Sequence, residues 1–390
     1  MKQQIPSLHG RREFVGRLAA AATGLALPHA FSQEPARLKA AVIGHTGRGD
    51  YGHGLEMIFA NRSGVELVAV ADPDEAGRKR VADRIGAPRH YASYAELLEK
   101  EKPALVSVAM RHADLHHPVI LAALQAGAHI YCEKPFTTTP AEADELLAEA
   151  RRRQLKIAVA HTMRLMPVVT RLRQAVREGL IGDLLEMRAY GKQDVRAGGE
   201  DMMVLGSHLF DLMRLFAGDP LWCAATVQWK GRDITPADKR LVKDNVGPVA
   251  GDRILAQFGF GQGISATFTS VAGLRETIGH WGIELFGSRG AVRINCDISP
   301  NVFLRQTTGW SAQGKTDTWT PFDVNLVKTP PVHNANPVTD WLEAIRQNRE
   351  PECSGQNAAW AVEMVMAVYQ AALSGRRVAF PLADRSHPLK

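Results

Sequence analysis

The chain of 390 residues is 45% hydrophobic and 23% charged, a composition typical of a globular protein that is long enough for two domains. Its formal net charge is only +6, and residues 1–33, with four basic side chains and one acidic, contribute half of it, so the charge does not favour nucleic acid as a partner. No apolar run reaches the roughly 18–20 residues of a membrane-spanning helix, and the spacing of Cys132, Cys223, Cys296 and Cys353 is not that of a metal site.

Two adjacent arginines precede an apolar stretch near the N-terminus. Arg11 and Arg12 are followed by the mildly apolar residues 18–27, a pattern that resembles a twin-arginine export signal, with Gly10 where serine or threonine is usual. We predict that residues 1–32 lie outside the fold and direct the protein, through the twin-arginine translocation machinery, to the periplasm or another extracytoplasmic space. A disordered basic tail is the alternative. If the protein is exported, a disulfide bond between two of the cysteines remains an alternative.

A glycine-rich loop lies between the first predicted strand and the first predicted helix. Residues 38–43 form the strand, residues 44–54 form the loop, and helical periodicity continues through Ala60. Two of the three glycines of the dinucleotide-binding pattern are present, and a threonine replaces the middle one. Glycine allows the tight turn and the close backbone approach that a pyrophosphate requires at a helix N-terminus. The loop therefore predicts a dinucleotide site, whose candidate contacts are Gly44, Thr46, Gly47, Arg48 and Gly49.

An acidic residue ends the second predicted strand. Residues 65–71 form the strand, and Asp72 follows it. A carboxylate at this strand end is the usual partner of the adenosine ribose diol and would repel a 2′-phosphate, so NAD is favoured over NADP. Arg78 and Arg80 keep NADP open as the less favoured cofactor. The alternative role for Asp72 is a turn or helix-capping residue before Pro73.

Strands continue to alternate with helices up to residue 160. This alternation predicts an α/β domain, residues 38–160, with a doubly wound parallel sheet. The further predicted strands are 104–109, 129–132 and 157–160, and the predicted helices are 116–126 and 140–152.

The fourth strand ends in Glu133-Lys134-Pro135. Pro135 cannot donate a hydrogen bond to a neighbouring strand, so the strand must end before it. The Lys134 ammonium group then lies at the carboxyl end of a parallel strand, where open α/β sheets bind their ligands, and faces the same crevice as the glycine loop. We predict that Glu133 and Lys134 contribute to catalysis and to cofactor binding. A lysine on a surface turn is the alternative.

Beyond residue 161 strands follow one another with few helices between them. This pattern predicts a C-terminal α/β domain, residues 161–390, with a large, open and mostly antiparallel sheet. Two polar segments without periodicity, 230–252 and 304–332, are predicted to be substrate-facing loops. Helices are predicted at 167–178, 337–348 and 356–373, and strands at 184–191, 222–230, 253–259, 264–270, 282–287 and 291–295.

A histidine and an aspartate three residues apart lie on a helix predicted for residues 207–217, which Ser207 is expected to cap. His208 and Asp211 share one face of this helix and are predicted to converge on the catalytic site. An imidazole is suited to accept a hydroxyl proton near neutral pH. The alternatives are a hydrogen-bonded core histidine for His208, and an ion pair between Asp211 and Arg214.

Six motifs occur in one order along the chain: the glycine loop, Asp72, residues 122–127, Glu133-Lys134-Pro135, Gly206-Ser207-His208 with Asp211, and Gly287-Ser288-Arg289-Gly290. In this order they resemble the Gfo/Idh/MocA family of nicotinamide-dependent oxidoreductases, over nearly everything after residue 37. The resemblance implies a Rossmann domain and a C-terminal domain whose open sheet serves substrate binding or oligomerisation. It also implies sugar or polyol substrates, a homo-oligomer, and Lys134 and His208 as the catalytic pair.

Two positions depart from the family pattern. Val204 stands where many members carry an aspartate, four residues before the histidine, and Arg111-His112 replaces the usual Thr-Pro. Glu200 and Asp201 are the candidates to replace that aspartate. The predicted cofactor contacts of the remaining region are Arg111 and His116.

These motifs predict an NAD(P)-dependent oxidoreductase that acts on a secondary hydroxyl of a sugar or cyclic polyol, without a metal. His208 would take the hydroxyl proton and Lys134 would donate to the same oxygen. Arg164 and Lys192 would contact the substrate, unless they are ordinary surface charges. An exported enzyme meets no cytoplasmic NAD pool, so we expect a retained cofactor, with redox-neutral glycoside cleavage or epimerisation as an alternative. A non-catalytic carbohydrate- or cofactor-binding protein is the alternative of another class, suggested by Val204.

Overall fold

The computed structural model describes residues 37–274, 280–297, 299–306, 318–323 and 334–390. The predicted export signal, residues 1–32, lies outside the described residues. Within the described ranges, no helix has both the length and the apolar character needed to cross a membrane.

Six parallel strands form the first sheet in the described part of the chain. They are β1 (Leu38–Ile43), β2 (Val65–Ala71), β3 (Arg89–Tyr91), β4 (Leu105–Val108), β5 (His129–Cys132) and β6 (Ile157–Val159). Their order, β3-β2-β1-β4-β5-β6, is that of a doubly wound sheet and confirms the predicted Rossmann architecture. The helices between them are α1 (Glu75–Ile85), α2 (Tyr94–Glu101), α3 (His116–Gln125) and α4 (Pro140–Arg153). Because β1, β4 and β5 are neighbours, the loops that follow them meet at one edge of the sheet.

A ten-stranded second sheet, counted over the same residues, is mostly antiparallel, as predicted. Its strands are β7 (Leu184–Tyr190), β8 (Pro220–Trp229), β9 (Arg232–Asp233), β10 (Arg253–Phe260), β11 (Ser265–Val271), β12 (Gly282–Gly287), β13 (Ala291–Asn295), β14 (Asn301–Arg305), β15 (Thr320–Pro321) and β16 (Val378–Ala379). The order is β15-β14-β13-β12-β7-β11-β10-β8-β16, and β9 pairs with β8. The central β7 runs parallel to β11 and antiparallel to β12. Exposed and buried side chains alternate along most of β10, so one face of the sheet packs on the core and the other is open.

The remaining helices join the two sheets. They are α5 (Pro167–Arg177), α6 (Ser207–Ala217), α7 (Ala335–Gln347) and α8 (Gly355–Ser374). α8 packs against β8, α6 and α4, and most of its side chains are buried. The residue before its cap extends the first sheet, because the Cys353 carbonyl oxygen accepts a hydrogen bond from the amide of Val159 at 2.8 Å. The last helix, α8, therefore belongs to the core of both sheets.

The helix predicted after the glycine loop is wrong. Residues 46–54 form turns and an isolated bridge, and Leu55–Met57 makes only one short 3₁₀ turn. Gly54 and Asn61 have positive φ angles of 81° and 56°, so residues 55–60 are bounded on both sides by backbone that a right-handed helix cannot include. The loop therefore offers its backbone amides from successive turns rather than from a helix N-terminus.

The predicted capping role of Ser207 is also wrong. A π-helical turn, Met202–Gly206, runs directly into α6, and helical geometry begins already at Gly199. Ser207 is therefore an interior residue of a continuous helical segment and makes no capping bond. Turns of the π type are frequent at functional sites.

Several elements differ from the sequence prediction in detail. α1, α2 and β3 are not predicted, although Asp74 and Ser93 cap the two helices by accepting bonds from backbone amides. The predicted loop 230–252 contains β9 and a 3₁₀ turn, Pro236–Asp238. Most of the other predicted loop, 304–332, lies outside the described residues.

Candidate active site

Lys134 lies at the carboxyl end of β5 and is almost entirely buried. Its side chain is 7% exposed, and Nζ donates a hydrogen bond to the carbonyl oxygen of Val204 at 3.1 Å. Burial lowers the pKa of Lys134, and attraction to Glu133 only partly opposes this shift. A buried amine with a lowered pKa at a sheet edge is suited to donate to a substrate oxygen and to exchange protons. Its partner here is a backbone carbonyl, at the position where the family pattern has an aspartate.

Glu133 is fully buried, and its carboxylate accepts hydrogen bonds from its neighbours. The amides of Lys134 and His53 donate to it at 2.6 and 3.1 Å, and Nδ1 of the His53 ring is also a hydrogen-bond partner. Burial alone would raise the pKa of Glu133, but the bond from His53 and the attraction of His53 and Lys134 outweigh it and hold the pKa at about 2. Glu133 is therefore a carboxylate that joins the glycine loop to Lys134.

A cleft of about 150 Å³ opens beside Lys134. Four cationic side chains and a single acidic one contribute to its lining, which comes from both halves of the fold: His53, Arg111, Lys134, Pro135, Lys192, Arg196, Val204, Leu205, Asp244 and Val246. Part of the positive charge is balanced, because Arg196 donates to Asp194 at 2.7 and 3.0 Å. The structure therefore brings the glycine loop, through His53, and Lys134 to one cleft, together with Lys192.

The Asp72 carboxylate holds the glycine loop in place through hydrogen bonds. One oxygen accepts bonds from the amide and hydroxyl of Thr46, at 2.9 and 2.7 Å, and from the Tyr51 hydroxyl at 2.8 Å. The other accepts from the amide of Asp74 at 2.9 Å. The Tyr51 ring lies so close to Gly44 that a Cβ there would be 2.2 Å from Cε1. The ribose contact of Asp72 stays a prediction, and its carboxylate already has the bracing role.

Two arginines stand beside the loop. Arg48 donates to Asp114 at 2.6 Å, and the backbone amide of Arg111 donates to the carbonyl oxygen of Gly49 at 3.3 Å. The approach is so close that a Cβ on Gly49 would lie 2.5 Å from that amide nitrogen, so only glycine fits. The guanidinium of Arg48 is thus paired with an acidic side chain, and Arg111 also lines the cleft beside Lys134.

His116 does not lie at the cofactor cleft, contrary to the prediction. It is completely buried, with Nε2 2.7 Å from the carbonyl oxygen of Met110 and Nδ1 2.8 Å from that of Pro135. Both ring nitrogens are thus used to brace the backbone on either side of the cleft. A buried strand-to-helix junction needs such partners for its carbonyl groups.

NAD fits the residues of this site. Space for phosphate groups exists on the outer side of the loop, since a Cβ at Gly47 would have no heavy atom within 4 Å. Arg48 and Arg111 supply positive charge next to it, and the Lys134 amine lies in the cleft that begins at the loop. Bound there, NAD⁺ would supply a hydride acceptor. Over the described ranges, no group of three or more histidine, cysteine, aspartate or glutamate side chains could hold a metal ion.

His208 belongs to a buried aromatic cluster behind Val204. Its ring lies 5.3 Å from the ring of His161 and 5.8 Å from that of Trp281, and only 8% of the residue is exposed. His161 lies 3.8 Å from the Asp211 carboxylate, and burial lowers the pKa of His161. His208 does not line the cleft described above; Val204, which bonds Lys134, precedes it by one helical turn.

Asp211 and Arg164 form a buried ion pair, which corrects three expectations. Arg164 Nε donates to both carboxylate oxygens of Asp211, at 2.8 and 2.9 Å. Arg164 is therefore not a substrate contact in the cleft, and Asp211 is not directed at a substrate. Arg214, the expected partner of Asp211, pairs with Asp219 instead.

Neither acidic candidate replaces the aspartate missing at Val204. Asp201 is completely buried, and its carboxylate accepts from the amides of Lys192 and Gln193 and from the Ser270 hydroxyl at 3.1, 3.0 and 2.6 Å. Glu200 is half-buried and is not part of the cleft lining, and burial followed by repulsion from Asp244 raises the pKa of Glu200. The geometry therefore leaves Lys134 without a side-chain carboxylate partner on this segment.

Two family profiles match the chain. Residues 38–161 match the Gfo/Idh/MocA profile described as "Oxidoreductase family, NAD-binding Rossmann fold", and residues 184–380 match the one described as "Oxidoreductase family, C-terminal alpha/beta domain". The chain belongs to the Gfo/Idh/MocA oxidoreductase family. Membership of the Gfo/Idh/MocA family makes it an NAD(P)-dependent oxidoreductase with the nucleotide site on the first sheet.

The individual Gfo/Idh/MocA relatives align with different shares of this chain. D-apiose dehydrogenase of Paraburkholderia graminis is 24% identical over 366 residues, which cover 90% of this chain and 92% of that protein. Trans-1,2-dihydrobenzene-1,2-diol dehydrogenase of Bos taurus is 36% identical over 132 residues, but this match covers only 34% of the chain and 39% of that protein. The structure of levoglucosan dehydrogenase in complex with NADH and L-sorbose superposes with a TM-score of 0.71 at 18% identity, over 89% of this chain and 100% of that one. The last likeness extends the shared fold to nearly the whole described region.

Three residues of this Gfo/Idh/MocA site are not predicted from the sequence. His161 follows β6 within two residues, and the carboxyl end of a parallel strand is the same signal that identifies Lys134. His53 lies in the glycine-rich loop. The glycines around it indicate a binding loop, but the sequence does not indicate which way its side chain points. Asp244 comes from the predicted loop 230–252, and only the length of that loop indicates a role in binding.

Proposed function

We propose that this oxidoreductase removes a hydride from a secondary carbinol of a sugar or cyclic polyol, with NAD⁺ as the acceptor. The observation that carries the proposal is the buried Lys134 amine in a cleft shared with the glycine loop. The names of the relatives, D-apiose dehydrogenase and levoglucosan dehydrogenase, support the substrate class. NAD is proposed rather than NADP because the carboxylate of Asp72 lies beneath the loop and opposes a 2′-phosphate.

The proposal gives Lys134 the central role. Its Nζ would donate to the substrate oxygen in place of the Val204 carbonyl, and burial lowers its pKa, which favours proton exchange. His208 is retained as the predicted acceptor of the hydroxyl proton, one helical turn beyond Val204. Lys192 lies in the cleft and is retained as a substrate contact.

The first experiment compares Lys134→Met, His208→Asn and the double variant with a proven sugar substrate. Each single change should lower the turnover number by roughly 10²–10⁴-fold, the range for a positioned acid or base. The double variant should lose far less than the product of the two, as expected for groups that act as a unit. NADH should still bind to both single variants, because the glycine loop holds the other end of the cofactor. Lys100→Met, which removes an exposed lysine paired with Glu96, is the control.

Normal turnover by Lys134→Met would reject this cleft as the active site. Loss of activity in the lysine variant alone would keep the site and withdraw the role of His208. A protein that binds NADH and a sugar but transfers no hydride under any condition would instead favour the non-catalytic alternative.

We also propose that residues 1–32 direct export by the twin-arginine machinery to an extracytoplasmic space, and that NAD stays bound during turnover there. The paired Arg11 and Arg12 support the signal. Mass spectrometry of the protein purified from the periplasm would detect the retained cofactor, and Arg11→Lys with Arg12→Lys should hold a folded protein in the cytoplasm. Normal export of this variant would remove the assignment.

We further propose a homo-oligomer that uses the open face of the second sheet. Support comes from β10, on which Arg253, Leu255 and Gln257 are exposed on alternating positions, with Leu255 54% exposed. Light scattering of the wild-type protein and of Leu255→Glu tests this assembly.

A further inference from the structure

His53 is a second histidine at the catalytic lysine, and it differs from His208 in its exposure. It follows the glycine loop residue Gly52, lines the cleft with Lys134, and its side chain is 40% exposed. His208 and Lys134 are only 8% and 7% exposed. Among these three groups, His53 alone thus combines contact with the cleft and ready access to water.

The carboxylate of Glu133 fixes the ring of His53. Glu133 is completely buried and, with a pKa of about 2, remains ionised at all physiological pH values. A carboxylate can only accept hydrogen bonds, so Nδ1 of His53 must carry the hydrogen that it shares with Glu133. In the neutral ring the lone pair therefore lies on Nε2, and Nε2 is the basic atom. The amide of His53 donates to the same carboxylate, which holds main chain and ring together.

This arrangement meets a requirement of the proposed reaction. Oxidation of a secondary alcohol by NAD⁺ gives a carbonyl, NADH and one proton, and that proton has to leave a site whose lysine is buried. A histidine held by a buried carboxylate at the mouth of the cleft can take up a proton and release it to water, because the carboxylate stabilises the imidazolium.

We propose that His53 is the acid–base residue through which the hydroxyl proton leaves the site, with Glu133 as its positioning residue. The inference rests on the proposed dehydrogenase function and deepens it. The O–H bond of the substrate breaks, His208 takes the proton as proposed above, and the proton then passes through water to Nε2 of His53. The hydride from the same carbon passes to NAD⁺, and His53 then returns the proton to solvent. In the reverse direction the imidazolium supplies the proton.

Charged groups of both signs contact His53 or line the cleft with it. Glu133 and Asp244 are acidic, and Lys134, Arg111, Lys192 and Arg196 are basic.

The test uses His53→Ala, with His117→Ala as the matched control. His117 makes an equivalent histidine–glutamate pair, 2.9 Å from Glu145, on α3 away from the cleft. We expect His53→Ala to lower the turnover number at least about tenfold at saturating substrate while NADH affinity changes less than about twofold. Added imidazole should restore turnover in proportion to its concentration, because the vacated and partly exposed position admits a small base. His117→Ala should keep wild-type turnover and should not respond to imidazole.

Three outcomes decide the proposal. Unchanged turnover of His53→Ala overturns it. A loss that imidazole does not restore overturns it too, because a purely structural role would give that result. If Lys134→Met is also fully active, the proposed function fails with it, whereas an inactive lysine variant beside an active His53→Ala variant rejects only the role of His53.

A measurement on the unliganded protein is independent of catalysis. Nitrogen NMR of the ¹⁵N-histidine-labelled protein should assign His53 to the tautomer with hydrogen on Nδ1, and Glu133→Leu, which removes both acceptor oxygens, should abolish this preference. The same variant should move the acidic limb of the kcat/KM profile to lower pH, because the imidazolium loses its carboxylate. A neutral ring with hydrogen on Nε2 in the wild-type protein would overturn the assignment.

Discussion

The buried amine of Lys134 makes chemistry and stability compete at one residue. Burial lowers the pKa of Lys134 below its ordinary value of 10.5. Between these two pKa values the unfolded chain binds more protons than the folded one, so the free energy of unfolding rises with pH in this window. Below the lowered pKa the amine of Lys134 is protonated in both states, so folding carries the full free-energy cost of burying an ammonium group.

We predict that Lys134→Met raises the free energy of unfolding at pH 7 while abolishing turnover. The thioether side chain removes the buried amine, and the gain should be about 0.5–2 kcal/mol, reduced by loss of the bond to the Val204 carbonyl. Urea unfolding at pH 7 and again near pH 10.5 measures it, and the advantage over the wild-type protein should shrink at the higher pH. A less stable variant at pH 7 would mean that the hydrogen bond outweighs the burial of the amine.

At the scale of residues, the sequence predicts positions better than partners. Lys134 is identifiable because a proline after an apolar strand fixes where the strand ends. The partner of Asp211 is not identifiable from the sequence. Arg164 lies 47 residues away, whereas helical spacing suggests Arg214. Asp201 likewise is predicted to replace the aspartate missing at Val204, but tertiary structure directs it to the amides of Lys192 and Gln193. Long-range pairing leaves no mark on local pattern.

The glycine loop is the element on which the whole site depends. Gly52 has a φ angle of 57°, and a Cβ there would lie 2.5 Å from Cγ of Glu133. Gly54 has a φ angle of 81°, but a Cβ there would have no heavy atom within 4 Å. The two glycines therefore share the left-handed backbone and differ in their contact with Glu133.

We predict that Gly52→Ala disables the site and Gly54→Ala does not. Both changes strain the backbone by roughly 1–2 kcal/mol, but only the first displaces Glu133 and with it His53 and Lys134. Turnover should fall at least about tenfold further in Gly52→Ala than in Gly54→Ala, while the unfolding midpoints of the two variants stay similar. Equal turnover in the two variants would show that contact with Glu133 is unimportant.

At the scale of elements, the sequence predicts the strands and misses the loop geometry. β1, β5, β12 and β13 lie where short apolar runs place them, because burial in a sheet imposes a simple pattern. The helix after the glycine loop fails because helical periodicity does not register the positive φ angles of Gly54 and Asn61, which confine it to one short turn. The cap at Ser207 fails for a related reason, since a π turn can extend a helix beyond its expected beginning.

The whole molecule should lose stability in mild acid. Burial, with smaller contributions from Lys156 and Lys390, lowers the pKa values of His129 and His387 to about 4, and burial also lowers the pKa of His161. Between pH 6.5 and pH 4 the unfolded chain binds more protons than the folded one. The contribution of these histidines to the free energy of unfolding is therefore fully present above pH 6.5 and is lost as the pH falls to 4.

We predict that the urea midpoint decreases steadily from pH 6.5 to pH 4 and that His129→Gln with His387→Gln flattens this dependence. The two changes remove protons that the unfolded state alone would bind. The control is His90→Gln, which replaces an exposed histidine on β3. An equally steep dependence in the double variant would assign acid sensitivity to other groups, such as carboxylates.

The position of β7 in the second sheet has a consequence for synthesis on the ribosome. β7 is made before every other strand of that sheet, yet it lies between β11 and β12, which emerge much later. The first sheet is also incomplete until late in synthesis, because the amide of Val159 donates its hydrogen bond to the carbonyl oxygen of Cys353. The first sheet cannot complete this bond until Cys353 has left the exit tunnel, and the second sheet lacks its edge strand until β16 emerges; high contact order slows this closure. A nascent chain that stalls before β11 and β12 emerge would expose both edges of β7 to chaperones or to other nascent chains.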